Sequence, residues 1–99
     1  MAENRPARLN SEEIEVQLRN VPAWSYDGQQ IERTFVRKNF MDAVRFISEI
    51  APIAEAHDHH PDLLLSSYKN VKVMLSTHSE SGITSKDFDV AKEIDRLAP

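Results

Sequence analysis

Apolar residues recur at helical spacing in three stretches and at alternate positions between them. Ile14, Leu18 and Val21 share one face of a helix predicted over residues 11–20. Asn10, with Glu13 three residues on, has the form of a capping box. Val21-Pro22 stops that helix, because the residue before a proline is pushed out of helical geometry. Trp24-Ser25-Tyr26 reads as a short strand, Asp27-Gly28 as a hairpin turn and residues 30–37 as the return strand. On that strand Ile31 and Phe35 take one face, and Glu32, Thr34 and Val36 the other. Asn39 caps a long helix over residues 40–56, with Phe40, Ala43, Val44, Ile47, Ile50, Ala51 and Ala54 as its apolar stripe. Pro52 lacks an amide and crowds the Ser48 carbonyl, so a bend is expected there. Residues 63–67 form a Leu-rich strand, and Tyr68-Lys69-Asn70 a turn. In the strand over residues 71–77, Val71, Val73 and Leu75 alternate with Lys72, Met74 and Ser76. Thr84 and Asp87 make a second capping box, opening a helix over residues 85–97 with Phe88, Ala91, Ile94 and Leu97 inward.

The order α-β-β-α-β-β-α predicts an α+β domain: a four-stranded antiparallel sheet with three helices packed on one face. The 99 residues suit a single domain, 1–99, with residues 1–9 as a loose arm. The Leu-rich third strand is an edge suited to pairing with a second subunit. Lys and Arg are scattered and the net charge is −4, which argues against direct nucleic-acid binding. The absence of Cys excludes disulfides, thiolate zinc sites and a cysteine nucleophile. No apolar run is long enough for a membrane span or a signal peptide, so a cytoplasmic location is expected. With Gly28 and Gly82 as the only glycines, there is no glycine-rich phosphate cradle.

All four histidines, His57, His59, His60 and His78, lie between Glu55 and Asp87. Imidazole is the side chain that gives and takes protons near neutral pH. Pro61 biases His60 toward extended geometry, so the long helix should stop near His59 and let two imidazoles converge on one cleft. His78, at the end of the best strand, is placed to bring a third. Glu55, one turn before His59, is positioned to steer that ring, and Asp87 to steer His78. Plainer roles compete: Asp87 as a helix cap, Glu55 as a solvated residue, His57 as surface. A zinc site built from the four histidines and Asp58 is the sharper rival, although no pair has the i, i+4 spacing common on a helix. Trp24 reads either as a core aromatic with its N–H paired or as a wall for a flat ligand.

One composite pattern stands out: Glu55, three residues, His59-His60-Pro61, six residues, Tyr68, nine residues, His78, eight residues, Asp87. Together with Gly82-Ile83-Thr84 and the Leu18, Val21, Trp24 spacing, it resembles the pterin-4a-carbinolamine dehydratase family over nearly the whole chain. The resemblance implies the α+β fold above and dimers or tetramers. It implies loss of water from 4a-hydroxytetrahydropterin to give quinonoid dihydropterin, in tetrahydrobiopterin recycling beside a pterin-dependent aromatic amino acid hydroxylase. No cofactor and no metal are implied; the pterin is the substrate. His59, His60 and His78 would be catalytic. Glu55, Asp58, Pro61, Trp24, Ser76, Thr77, Ser79 and Asp87 would bind substrate or orient the histidines. Relatives that serve as dimerization cofactors of a homeodomain transcription factor, or assist assembly of a carbon-fixing enzyme, make a non-catalytic role the alternative. Leu63 departs from the aromatic that many relatives carry there.

Overall fold

In the computed structural model, which describes residues 6–98, each helix starts at a side-chain cap already visible in the sequence. Asn10 Oδ1 accepts the Glu13 amide at 2.9 Å and Glu13 Oε1 accepts the Asn10 amide at 2.9 Å, opening α1 (Ser11–Leu18). Asn39 Oδ1 accepts the Asp42 amide at 2.8 Å and opens α2 (Phe40–His57). Thr84 and Asp87 open α3 (Ser85–Leu97).

The strands are β1 (Ser25–Tyr26), β2 (Ile31–Val36), β3 (Asp62–Ser66) and β4 (Asn70–Leu75), and a 3₁₀ turn at His78–Glu80 precedes α3. They form a four-stranded antiparallel sheet in the order β1-β2-β4-β3, as the element order predicts. Gly28 carries the β1–β2 turn at φ +99°, where a side chain would be strained. Asp27 Oδ1 accepts the amides of Gln29 and Gln30 at 2.8 and 2.9 Å and closes that turn. At the β3–β4 turn it is Ser67 and Tyr68 that take positive φ, one position earlier than the predicted turn.

Ile31 and Phe35 of β2 and Val71, Val73 and Leu75 of β4 are buried on the face covered by α2 and α3. Register places Val71 opposite Phe35 and Leu75 opposite Ile31, so the two strands present one continuous apolar surface.

The apolar stripe of α2 keeps Ala43, Ile47, Ile50 and Ala54 of the predicted one and adds Phe46. Ala43, Phe46, Ile50 and Ala54 are buried, whereas Phe40, Val44 and Ala51 face outward. The helix is apolar on more than one side, and periodicity alone cannot say which side meets the sheet. Phe46 settles the choice: its ring packs 4.8 Å from that of Phe35, and the Arg37 guanidinium lies 4.4 Å from its centroid. The helix runs on through Pro52 to His57. Pro52 and Ser48 both face outward, so the carbonyl that loses its amide partner is open to water.

Candidate active site

The site is built at the point where α2 ends. Asp58 takes a left-handed conformation, φ 48° and ψ 44°. Its amide donates to Glu55 O, and the His59 amide to Ala54 O at 3.1 Å. This pair of bonds is the Schellman arrangement, and a short polar side chain tolerates the left-handed position it requires. The helix therefore ends at His57, one residue past the predicted 40–56 range, and the break falls at Asp58, next to the stop expected near His59. The reversal turns His59 inward, towards α3, and leaves His60 facing solvent.

His59 is nearly buried, its side chain 10% exposed, while that of His60 is 58% exposed. His59 Nε2 lies 2.6 Å from Oδ1 of Asp87, whose side chain is fully buried. Asp87 Oδ2 accepts the Thr77 hydroxyl at 2.9 Å and the Thr84 amide at 2.9 Å. The Thr77 hydroxyl proton is committed to Asp87, so Thr84 Oγ1, 2.8 Å away, donates to Thr77. Oδ1 is left to His59. A carboxylate only accepts, so the His59 Nε2–H donates to it and Nδ1 is the nitrogen left for chemistry. The capping role of Asp87 and its steering role are thus the same arrangement.

The expected pairings are exchanged. Asp87 holds His59 rather than His78, and Glu55 Oε2 pairs with His60 Nε2 rather than with His59. The reason is the left-handed turn at Asp58. Glu55 would lie beneath His59 in a continuing helix, but the reversal puts His60 beside it. His57, expected at the surface, is half-buried and pairs through Nε2 with Glu93 Oε2 at 2.9 Å.

β4 delivers the third imidazole. Thr77 and Gly82 pair as an isolated bridge, the Thr77 amide donating to Gly82 O at 2.8 Å, and this pinches off the loop that carries His78. The His78 ring is exposed and bonds to no other described residue.

His59, His60 and His78 line one hollow of about 290 Å³. Asp58, Ser76, Thr77 and Ser79 complete the expected part of its wall. That size is near the lower bound of small-molecule pockets, about 300 Å³. Pro6 and Lys86 also face it, and neither was anticipated. Lys86 sits in the first turn of a helix whose cap was legible, but which way its side chain leans depends on the loop beside it. Glu55 and Asp87 stand behind the rings they hold, Pro61 is half-buried alongside, and none of the three lines the hollow. Trp24 does not line it either: it is buried in the core, and its indole N–H donates to Asp95 Oδ1 at 2.8 Å. Among the described residues no three His, Asp or Glu side chains stand close enough together to share a metal ion.

Residues 7–97 match the model of the pterin 4 alpha carbinolamine dehydratase family. The chain belongs to that family. It is 44% identical over 90 residues to a protein of Sulfolobus acidocaldarius, covering 91% of this chain and 98% of that one. It is 46% identical over 90 residues to a Picosynechococcus protein, covering 91% and 97%. Both relatives carry the name pterin-4-alpha-carbinolamine dehydratase. A solved structure, the transcriptional coactivator/pterin dehydratase from Brucella melitensis, superposes with a TM-score of 0.87 at 37% identity, over 94% of this chain and 100% of that one.

Proposed function

We propose that this protein removes water from a 4a-hydroxytetrahydropterin to give the quinonoid dihydropterin. The observation that carries the reading is the convergence of His59, His60 and His78 on one hollow, with His59 oriented by a buried carboxylate. The names of the family and of its members supply the substrate class. The reaction needs one proton delivered to the C4a hydroxyl and one withdrawn from the adjacent ring N–H. The C4a–O bond breaks, water leaves, and the nitrogen lone pair closes the new C=N bond. Imidazoles suffice for both transfers. His59, protonated at Nδ1 while Nε2–H stays on Asp87, is the acid toward the hydroxyl, assisted by His78. His60, held by Glu55, binds the ring and receives the nitrogen proton. Asp58, Ser76, Thr77 and Ser79 contact the pterin. We place the reaction in the cytoplasm, downstream of a pterin-dependent hydroxylase, in tetrahydrobiopterin recycling, and in a protein that works as a homodimer or larger assembly without metal.

The test is stopped-flow dehydration of a 4a-hydroxypterin in the presence of chelator. His59→Ala should lower turnover by about two to four orders of magnitude. A rate equal to that of the parent protein removes His59 as the acid.

A second role as an assembly or coactivator partner is favoured by one specific feature. Phe40, Met41 and Val44 are 52%, 75% and 40% exposed along α2, and the Brucella relative is named as a coactivator as well as a dehydratase. Loss of catalysis in His59→Ala with retention of such an activity would separate the two.

A further inference from the structure

Beside the histidine hollow lies a larger one, of about 750 Å³. The two meet along Ser76, Thr77 and His78, which line both. A bicyclic ring fits within the smaller hollow, and a substituent on it that points past Ser76, Thr77 and His78 enters the larger one.

Arg8 stands in the wall of the larger hollow and forms no ion pair or hydrogen bond with another described residue. Its place is defined by two contacts. The Leu9 amide donates to Ile83 O at 2.8 Å and pins the backbone next to it. A Cβ on Gly82 would come within 2.7 Å of Arg8 Nε and 3.2 Å of its Cδ. Glycine here supplies room for the arginine stem, which lies against the loop that carries His78. A guanidinium set this way offers several N–H donors to an anion.

We propose, resting on the pterin reading of the histidine hollow, that Arg8 is a specificity-determining residue: it receives an anionic group carried on the side chain of the pterin, and Gly82 keeps it in place. Asp62 is the carboxylate in the same wall and opposes such a group, so it sets the strength of the preference.

The experiment is a fluorescence titration at low salt with 6-hydroxymethylpterin and its phosphate monoester, which differ only in the anion. The parent protein should bind the monoester about tenfold more tightly, the worth of one exposed charge-assisted contact. R8Q and G82A should both erase the ratio, D62N should enlarge it, and added salt should shrink it. A parent protein without the preference, or an R8Q variant that keeps it, overturns the proposal. Dehydration is assayed separately. An Arg8-dependent preference in a protein that does not dehydrate 4a-hydroxypterins supports the subsite and breaks the dehydratase reading; turnover without the preference does the reverse.

Discussion

At the scale of the residue, the site depends on a single buried carboxylate. Asp87 satisfies His59, Thr77 and the Thr84 amide at once, and loss of a partner to a buried charged group costs about 1–3 kcal/mol or more. Asp87→Asn puts an amide donor against groups that are themselves donors. We expect a lower melting temperature together with reduced turnover, read by thermal unfolding and by the dehydration assay. Thr84 acts one step further back, as a positioning residue whose hydroxyl orients that of Thr77. Thr84→Val should lower kcat more than it raises KM, and Thr84→Ser should restore it. A Val variant with unaltered kcat would show that the hydroxyl chain does not matter to His59. Asp87 was legible as a cap, three residues after Thr84. Its reach to His59, 28 positions away, was not, because a cap carboxylate has a second oxygen whose partner the local sequence does not specify.

At the scale of the element, caps and turns follow from local chemistry, and their worth can be measured one at a time. Asn39→Ala should destabilise the fold by about 1 kcal/mol, seen as a lower denaturant midpoint with an unchanged slope. The Gln30 and Gln29 amides bonded to the Asp27 carboxylate hold its pKa below the ordinary carboxylate value. A depressed folded pKa means stability that is present above the ordinary carboxylate range and lost as pH falls through the folded value. Asp27→Asn should therefore flatten the acid limb of the stability profile below about pH 4, in denaturant melts taken at stepped pH. A profile parallel to that of the parent would show that the turn carboxylate contributes nothing. The stripe of α2 shows where element-scale reasoning stops. Phe40, Val44 and Ala51 are as apolar as Phe46, Ile50 and Ala54, so the helix alone has no unique inner face.

At the scale of the molecule, the sheet leaves β3 as an edge, with Leu63 and Leu64 37% and 51% exposed, and α2 leaves Phe40, Met41 and Val44 uncovered. Exposed apolar groups on an unpaired strand edge suit association between copies of the chain. Leu64→Glu should shift sedimentation toward the monomer, and a variant that sediments like the parent would remove β3 from the interface. The network from Trp24 and Arg33 to Asp95 ties the sheet to α3 at 2.8 and 2.7 Å, and His57–Glu93 ties α2 to α3. These bonds join positions 71, 62 and 36 residues apart, and they make the platform on which the helix end and the strand end face each other.

The sequence by itself determined the order of the elements, the caps of all three helices, the family, and the segment from Glu55 to Asp87 that carries the imidazoles. Each of these is written in spacing, in turn chemistry or in a motif of fixed positions. Tertiary structure decided which carboxylate serves which histidine, which face of α2 is buried, that Trp24 belongs to the core, and that Pro6, Arg8 and Lys86 come near the site. The physical reason is that these outcomes depend on surfaces contributed from far along the chain: the left-handed Asp58 redirects His59 and His60, and packing between distant elements settles the rest.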